Sequence, residues 1–246
     1  MIKAIIFDLD GTLIQTEVLK ASSYAQAINQ LTQNRIGEEQ VSDVFRKFVG
    51  LSRKEVVHSL AKHFKTELGD KLKTSDVKLI QERLIEKRLK IYSDILNDTK
   101  LLSKHFCPFT LGLFHKVKSD NFCVVLATMS HLTEAERITS IMGIYEKFDL
   151  ILTRDDVSFG KPYAEIYEKV GTYLGLKPQE CLVIEDSVNG IKAGLNAGMY
   201  VFAVTNNLTR ESVHRSNLLG SEYIIDNLED LILRVDTFIK AQKKVH

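Results

Sequence analysis

Two aspartates two positions apart, Asp8 and Asp10, close the first apolar run of the sequence and are followed by Gly11 and Thr12. Residues i and i+2 of a strand point to the same side, so a strand here would present both carboxylates together. Two close carboxylates repel each other unless they share a proton or a cation. Oxygen ligands of this kind suit Mg²⁺, which also binds phosphate oxygens. The stretch therefore predicts acid–base or metal chemistry at the end of a strand.

A second acid pair, Glu185 and Asp186, closes another apolar run and is followed by Ser187, Asn189 and Gly190. Ser187 could serve simply as the N-terminal cap of the next helix. Such a cap does not account for two adjacent acids at the end of a strand. If this strand and the first one are neighbours in a sheet, their acids converge and form a cage for a divalent metal ion.

Lys161 and Thr128 are candidates for binding an anion. Lys161 precedes a proline, which holds it outside the following helix, and near several carboxylates and a phosphate it would supply the counter-charge. Thr128 ends an apolar run and offers its hydroxyl, with the backbone amides of the turn through Ser130, to an anion. Taken singly, each is better explained as a surface lysine or as the polar end of a strand.

These side chains must be positioned by strands, which short apolar runs predict. The runs occupy residues 3–9, 122–128, 150–153, 181–185, 200–205 and, more weakly, 223–226. Helical patterns lie between them at residues 133–142, 164–174 and 187–197; the first opens with a capping box of Thr133 and Glu136 and precedes Gly143. Strands that alternate with helices predict an α/β fold, a Rossmann-like parallel sheet with helices on both faces.

The alternation is interrupted between residues 16 and 98, where the sequence has no strand-like run. Helices are predicted there at residues 17–32, 38–48, 52–64 and 75–96. The last has one apolar face, formed by Val77, Ile80, Leu84, Tyr92 and Ile95. Such a segment is too long for a simple crossover. We therefore expect an α/β core of residues 1–15 and 99–246, interrupted by an all-α domain of residues 16–98.

Composition limits the classes of partner. The 246 residues include 33 basic and 32 acidic side chains, so a general charge excess for nucleic acid or an anionic membrane is lacking. No apolar run approaches the ~18 residues of a membrane span, and none resembles a signal peptide. Cys107, Cys123 and Cys181 lack the spacing of a zinc site or a disulfide framework. We expect a cytoplasmic protein.

Order and spacing together are more specific than any single motif. Asp8–Thr12, Thr128, Lys161 and the Glu185–Asp186 pair resemble, in sequence order, the four motifs of the haloacid dehalogenase superfamily. Within it, the chain looks most like the β-phosphoglucomutase/phosphatase branch, because the inserted helices stand where that branch has its type-1 helical cap. The resemblance covers most of the chain.

The resemblance implies a two-step phosphoryl transfer. Asp8 would be the nucleophile that forms an aspartyl-phosphate, and Asp10 the acid that protonates the leaving oxygen and then activates water. Mg²⁺ would be held by the Asp8 side chain, the Asp10 carbonyl and Asp186, with Glu185 as a further ligand or as a partner behind the ligands. Thr128 and Lys161 would bind the phosphoryl oxygens. Implied substrate contacts are Gly11, Thr12, Arg53, Ser130 and Asn189.

Hydrolase and mutase remain to be distinguished. Residues 50–53 resemble the substrate loop of the mutases, in which Arg53 would contact phosphate or sugar, although it could equally be a solvated residue. Several positions depart from the mutase pattern in ways that remove donors for a second phosphate. They are Gln15, Lys20, Val49, His131 and Leu132. These departures favour a Mg²⁺-dependent phosphatase acting on a small phosphorylated metabolite, most readily a sugar phosphate. Separately, we expect a monomer or weak dimer.

Three alternatives stay open to different degrees. A phosphohexomutase of the β-phosphoglucomutase type is the main one. A catalytically inert, phosphometabolite-binding relative would be expected to lack one of the motif residues, and none is lacking. Dehalogenases of the superfamily lack the second aspartate, which is present here as Asp10.

Overall fold

The computed structural model describes residues 1–48 and 53–244, and the chain divides into two compact units. The core unit contains Met1–Gln15 and Ser103–His246, and the helical unit contains Thr16–Leu102. The predicted bounds of the inserted domain are residues 16 and 98, so the second division lies four residues later than predicted. The expectations for Val49, Gly50, Leu51 and Ser52 lie outside the described residues.

The core unit is built on a parallel sheet with the strand order β3-β2-β1-β4-β5-β6. The strands are β1 Ala4–Phe7, β2 Cys123–Ala127, β3 Leu150–Leu152, β4 Cys181–Glu185, β5 Tyr200–Val204 and β6 Ile224–Ile225. Each lies within a run predicted from the sequence. Every residue of β1 and β4 is buried, which explains why these strands read as continuous rather than alternating apolar runs.

The described helices fall on both sides of the division. Up to the return into the core they are α1 Thr16–Leu31, α2 Glu38–Phe45, α3 Arg53–His63, α4 Lys65–Leu72, α5 Val77–Asn97 and α6 Thr99–Ser103. In the core they are α7 Pro108–Ser119, α8 Leu132–Ile141, α9 Glu165–Leu174, α10 Val188–Asn196, α11 Arg210–Ser216 and α12 Leu231–Lys244. None of them, within the described part of the chain, has the length and apolarity of a membrane span.

Helices cover both faces of the sheet, as predicted. On one face, sheet residues such as Ile6 join a buried cluster with α9 and α10. On the other face, the Phe7 ring lies 5.8 Å from that of Phe114 in α7, and the Phe202 ring lies 5.5 Å from that of Phe238 in α12. The fold is the predicted Rossmann-like α/β sheet with helices on its two sides.

The helical unit packs α5 on α1, and its core contains a charge that the sequence pattern did not indicate. Of the predicted apolar face of α5, Ile80, Leu84, Tyr92 and Ile95 are buried, while Val77 is half-buried. Arg88 is buried on the same helix; its guanidinium lies 4.1 Å from the Tyr92 ring centroid and 5.1 Å from that of Tyr24. These ring faces, with a hydrogen bond from Nε to Ser23, accommodate the charge.

The predicted capping box of Thr133 and Glu136 is wrong. The sequence predicts a helix over residues 133–142, but α8 begins at Leu132 and its N-cap is His131. The backbone N–H of Leu132 donates to Asp155, which comes from another loop. A carboxylate brought by the tertiary fold thus replaces the local cap. Gly143 follows the helix with a left-handed φ of 70°, as predicted for its C-terminal end.

The chain returns to the core unit through the start of α7. Pro108 lies in the first turn of α7, where its missing N–H costs nothing. Thr110 donates its hydroxyl hydrogen bond to the carbonyl of Thr12, 2.6 Å away. The helix that precedes β2 is therefore tied to the loop that follows β1.

Candidate active site

The carboxyl ends of three neighbouring strands carry the predicted chemistry. Asp8 follows β1, Asp186 follows β4 and Thr128 follows β2, and β1 is hydrogen-bonded to both of the other strands. Because the strands are parallel, their carboxyl ends lie at one edge of the sheet, where α/β proteins bind ligands. The expectation that the two acid-bearing strands are neighbours is confirmed.

Asp8, Glu185 and Asp186 form a buried acidic cluster. Each offers a carboxylate oxygen, and these oxygens lie within 4.8 Å of one another. The three residues are only 6%, 1% and 4% exposed. Buried carboxylates at this distance repel strongly unless positive charge lies among them. The cluster could hold a metal ion.

Lys161 supplies one positive charge to this cluster. Its Nζ donates to Asp8 Oδ1 at 2.7 Å, to Glu185 Oε1 at 2.6 Å and to the Ala127 carbonyl at 3.0 Å. These three bonds use all the hydrogens of the ammonium group. The lysine side chain is 5% exposed, so it is part of the site and not a surface charge. Its peptide bond to Pro162 is cis.

Burial and neighbouring charges together shift the pKa values of Asp8 and Lys161. Burial raises the pKa of Asp8 to about 7; the Lys161 ammonium opposes this shift, and the charges of Glu185 and Asp10 add to it. Burial alone would lower the pKa of Lys161, but the charges of Asp8 and Glu185 outweigh it and hold that pKa well above its ordinary value. One ammonium does not neutralise three carboxylates, so the site favours a further cation.

Glu185 is held from two sides. Its Oε1 accepts from Lys161, and its Oε2 accepts from the backbone N–H groups of Asp186 and Ser187 and from the Ser187 hydroxyl, at 2.9 to 3.0 Å. Four bonds match the acceptor capacity of a carboxylate. A Cβ on Gly190 would overlap the Glu185 carboxyl group, so glycine is required beside it. Ser187 also caps α10 through the N–H of Gly190, as predicted.

Asp10 is oriented by Ser130. The Ser130 hydroxyl donates to Asp10 Oδ2 at 2.5 Å, and the Ser130 N–H donates to the Thr128 hydroxyl oxygen at 3.1 Å. Ser130 and Thr128 are buried. The structure thus places Ser130 beside Asp10 and Thr128 beside Ser130. The sequence did not suggest the hydrogen bond from Ser130 to Asp10.

The turn between Asp10 and Thr12 lies against the acidic cluster. Gly11 has a φ of 86°, and a Cβ at this position would overlap the Asp186 carboxyl group. Thr12 is fully buried, and its hydroxyl has no hydrogen-bond partner among the described residues. Gln15 donates to the Gly11 carbonyl at 3.0 Å and so helps to hold the turn.

Two of the implied substrate contacts lie on helices. Arg53 begins α3 and belongs to the helical unit. Asn189 lies in the first turn of α10 and is exposed. The remaining ones, Gly11, Thr12 and Ser130, belong to the loops that carry Asp10 and Thr128.

Sequence reasoning missed Asn206 and Tyr167. Asn206 donates to Asp186 Oδ2 at 3.4 Å. It stands two residues beyond β5, after Thr205, so a search of all polar residues that follow a buried strand, and not only of the first one, could have found it. The Tyr167 ring centroid lies 5.2 Å from the Lys161 ammonium, and no sequence signal marks that contact within α9.

The chain is similar to known proteins over most of its length. A family model described as haloacid dehalogenase-like hydrolase matches residues 2–198. The phosphorylated carbohydrates phosphatase of Thermotoga maritima is 28% identical over 207 residues, which cover 84% of this chain and 87% of that protein. Pyrophosphatase PpaX of Bacillus mycoides is 25% identical over 239 residues, 94% of this chain and 95% of that protein.

The fold is also found among solved structures. The crystal structure of beta-phosphoglucomutase from Clostridium difficile matches with a TM-score of 0.67 at 24% identity, over 97% of this chain and 99% of that chain. The family model that matches residues 2–198 confirms the resemblance found in the sequence motifs.

Proposed function

Because the chain belongs to the haloacid dehalogenase-like hydrolases and is a phosphatase of small phosphorylated molecules, we propose that it hydrolyses a sugar phosphate with Mg²⁺ and an aspartyl-phosphate intermediate. The observation that carries this proposal is the buried constellation of Asp8, Lys161, Glu185 and Asp186 at one edge of the sheet. Phosphoryl transfer requires mainly positioning and neutralisation of charge, and this arrangement supplies both.

In the first step Asp8 attacks phosphorus. A carboxylate oxygen of Asp8 forms a bond to phosphorus while the bond from phosphorus to the ester oxygen breaks, and Asp10 donates a proton to the leaving alcohol. The Ser130 hydroxyl occupies Asp10 Oδ2 as a donor, so the transferred proton is carried by Oδ1. Lys161 holds Asp8 in place and offsets charge on the phosphoryl oxygens, with the Thr128 loop on their other side.

In the second step Asp10, now a carboxylate, accepts a proton from water. The water oxygen attacks the phosphorus of the aspartyl-phosphate, the bond to Asp8 breaks, and free phosphate leaves. The same residue thus serves as acid and then as base, which requires that it stay in one place through both steps. Its bond to the buried Ser130 provides that restraint.

Oxygen donors beside buried negative charge fit Mg²⁺. We assign the Asp8 and Asp186 side chains and the Asp10 carbonyl to the ion. Glu185 stays behind them, because its oxygens already hold Lys161 and the Asp186–Ser187 backbone. When bound, the ion supplies positive charge against the phosphoryl oxygens.

Two observations support the hydrolysis of a sugar phosphate, the first on the substrate and both on the reaction. The Thermotoga maritima relative is named for phosphorylated carbohydrates. In addition, His131, one of the departures from the mutase pattern, is bonded through Nδ1 to Asp155 at 2.6 Å and is engaged there. Both favour hydrolysis of one phosphate over cycling between two. A small metabolite partner, a monomeric or weakly dimeric state and a cytoplasmic location remain predictions.

The mechanism is tested by Asp8→Asn, with Asp94→Asn in the helical unit as the matched control. Phosphate release from a panel of sugar phosphates in Mg²⁺ is measured, together with unfolding temperature. We expect Asp8→Asn to abolish turnover while remaining folded, because it removes the nucleophile and a buried charge. Asp94→Asn should behave as the unsubstituted protein. Near-normal turnover by Asp8→Asn would refute the mechanism.

The mutase alternative is tested on the unsubstituted protein. It is incubated with a sugar 1-phosphate and a trace of the corresponding bisphosphate, and both products are measured. Free phosphate supports the phosphatase. The 6-phosphate without free phosphate would overturn it in favour of the mutase.

A further inference from the structure

We propose that Asp155, a half-exposed residue outside the acidic cluster, is a positioning residue for Asp10, acting through the loop of residues 128–132. The inference rests on the proposed function, in which Asp10 is the general acid. Its basis is a chain of short contacts that leads from the turn after β3 to the Asp10 carboxyl group. The predicted consequence is that Asp155 matters most for substrates whose leaving group needs a proton.

The first link is between Asp155 and the loop. Asp155 Oδ2 accepts from the backbone N–H of Leu132 at 2.9 Å, and Oδ1 lies 2.6 Å from His131 Nδ1. The N–H of the adjacent Arg154 donates to the Ser130 carbonyl at 3.1 Å. Three consecutive loop residues, Ser130 to Leu132, are thus held by two consecutive residues of one turn.

The turn that carries Asp155 is itself fixed. Asp156 Oδ2 accepts from the Thr153 N–H at 2.7 Å and from the Thr153 hydroxyl at 2.9 Å, and the Asp155 N–H donates to the same hydroxyl at 3.3 Å. Thr153 is buried directly after β3. The turn is therefore fixed to the end of β3, and this sets the position of Asp155.

The last link is Ser130. Its carbonyl is bonded to Arg154, its N–H to Thr128 and its hydroxyl to Asp10. Because every polar group of this residue has a partner, the position of its hydroxyl is set by the loop, and the loop is set in part by Asp155. A loop that moves by a fraction of an ångström would change the hydrogen bond to Asp10 and the direction of its proton.

Charge reinforces the arrangement. Asp155 lies at the N-terminus of α8, where backbone N–H groups and the helix dipole favour a carboxylate. Backbone and side-chain bonds from Leu132 and His131 keep the pKa of Asp155 below its ordinary value. Asp155 therefore stays ionised and continues to hold the start of this helix.

The experiment compares two classes of leaving group. A general acid matters greatly when an alkyl alcohol leaves and little when 4-nitrophenolate leaves, since the latter is stable without a proton. We expect Asp155→Ala to lower kcat/KM for an alkyl phosphate by about 10- to 100-fold and that for 4-nitrophenyl phosphate by no more than about threefold. Asp155→Asn, which keeps an acceptor for Leu132, should lie between the unsubstituted protein and Asp155→Ala.

Glu180→Gln is the matched control. Glu180 also accepts a backbone N–H within a turn, from Lys177 at 2.9 Å, but it precedes β4 at the opposite end of the strands. We expect kcat/KM to remain unchanged for both substrates in this variant. Unfolding temperatures of all variants separate loss of fold from loss of positioning.

A double substitution tests the route. If Asp155 acts through Ser130, then Asp155→Ala should cause little further loss in a Ser130→Ala background. An equal loss for both leaving groups, or a full additional loss in that background, would overturn the inference. If Asp8→Asn abolishes turnover in the same preparation, only the role of Asp155 has failed; if Asp8→Asn is active, the proposed function has failed.

Discussion

Replacement of Gly11 by alanine would introduce both backbone strain and a clash with Asp186. A comparison with Gly143→Ala separates these two effects. At a φ of 86° an L-residue is strained by about 1–2 kcal/mol. A Cβ at position 11 would also overlap the Asp186 carboxyl group. Gly143 provides the control, because its φ is 70° but a Cβ there would meet no atom within 4 Å. Both variants introduce backbone strain, but only Gly11→Ala displaces Asp186, an assigned metal ligand.

The expected magnitudes follow from this difference. Gly143→Ala should lower the unfolding temperature by about 2–8 °C, since 1–2 kcal/mol in a chain of this size shifts it by about 2–4 °C per kcal/mol. It should leave the Mg²⁺ concentration for half-maximal activity unchanged. Gly11→Ala should lose at least as much stability and, because Asp186 must move, raise that Mg²⁺ concentration by about 10- to 100-fold.

The assay is phosphate release across a Mg²⁺ titration, alongside thermal unfolding with and without the ion. Mg²⁺ should raise the unfolding temperature of the unsubstituted protein and of Gly143→Ala, since a ligand that binds only the native state stabilises it. Gly11→Ala should show a smaller rise at equal Mg²⁺. A normal Mg²⁺ titration in Gly11→Ala would refute the assignment of Asp186 as a ligand.

Two further variants test buried charge. Lys161→Ala should destabilise the protein by about 3–5 kcal/mol in urea unfolding, because it leaves Asp8 and Glu185 without their partner; Mg²⁺ should recover part of this, and no loss of stability would contradict the charge balance. Arg88→Ala should cost about 3 kcal/mol in the same measurement, since it removes a buried side chain that packs on two tyrosine rings and leaves a cavity there. Arg83→Ala, an exposed change on the same helix, should alter stability by less than about 0.5 kcal/mol.

The strands and the acid-bearing ends were predictable for a physical reason. A strand covered on both faces must be apolar throughout, so the first polar residue marks its end. That rule located Asp8, Thr128 and Glu185 with their strands; applied to β5 it locates Thr205, and Asn206 is the next residue. The information for these positions is local in the sequence.

Contacts made between distant segments were not predictable in this way. The start of α8 was misplaced because a plausible capping box at Thr133 competes with Asp155, which reaches Leu132 only once β2 and β3 are paired. Arg88 was not among the residues of the predicted apolar face, because a charged residue on a helix is usually exposed, whereas Tyr24 and Tyr92 give it a buried place. A single sequence contains no signal for these pairings.

The hydrogen bonds of Lys161 suggest how the site changes during the reaction. With three acceptors bound, Lys161 can donate to a phosphoryl oxygen only if it releases one of them. Glu185 is held by three further donors and Ala127 by its strand, so Asp8 is the acceptor most easily exchanged. When Asp8 becomes esterified to phosphorus, it loses its charge and the phosphoryl group brings new negative oxygens. The ammonium can then transfer its bond from Asp8 to the phosphoryl group without an unpaired charge at any stage, and this requires that Glu185 hold the lysine throughout. Glu185→Gln should therefore slow phosphorylation of Asp8 in single-turnover measurements more than it weakens substrate binding; an unchanged rate with weakened binding would contradict this role.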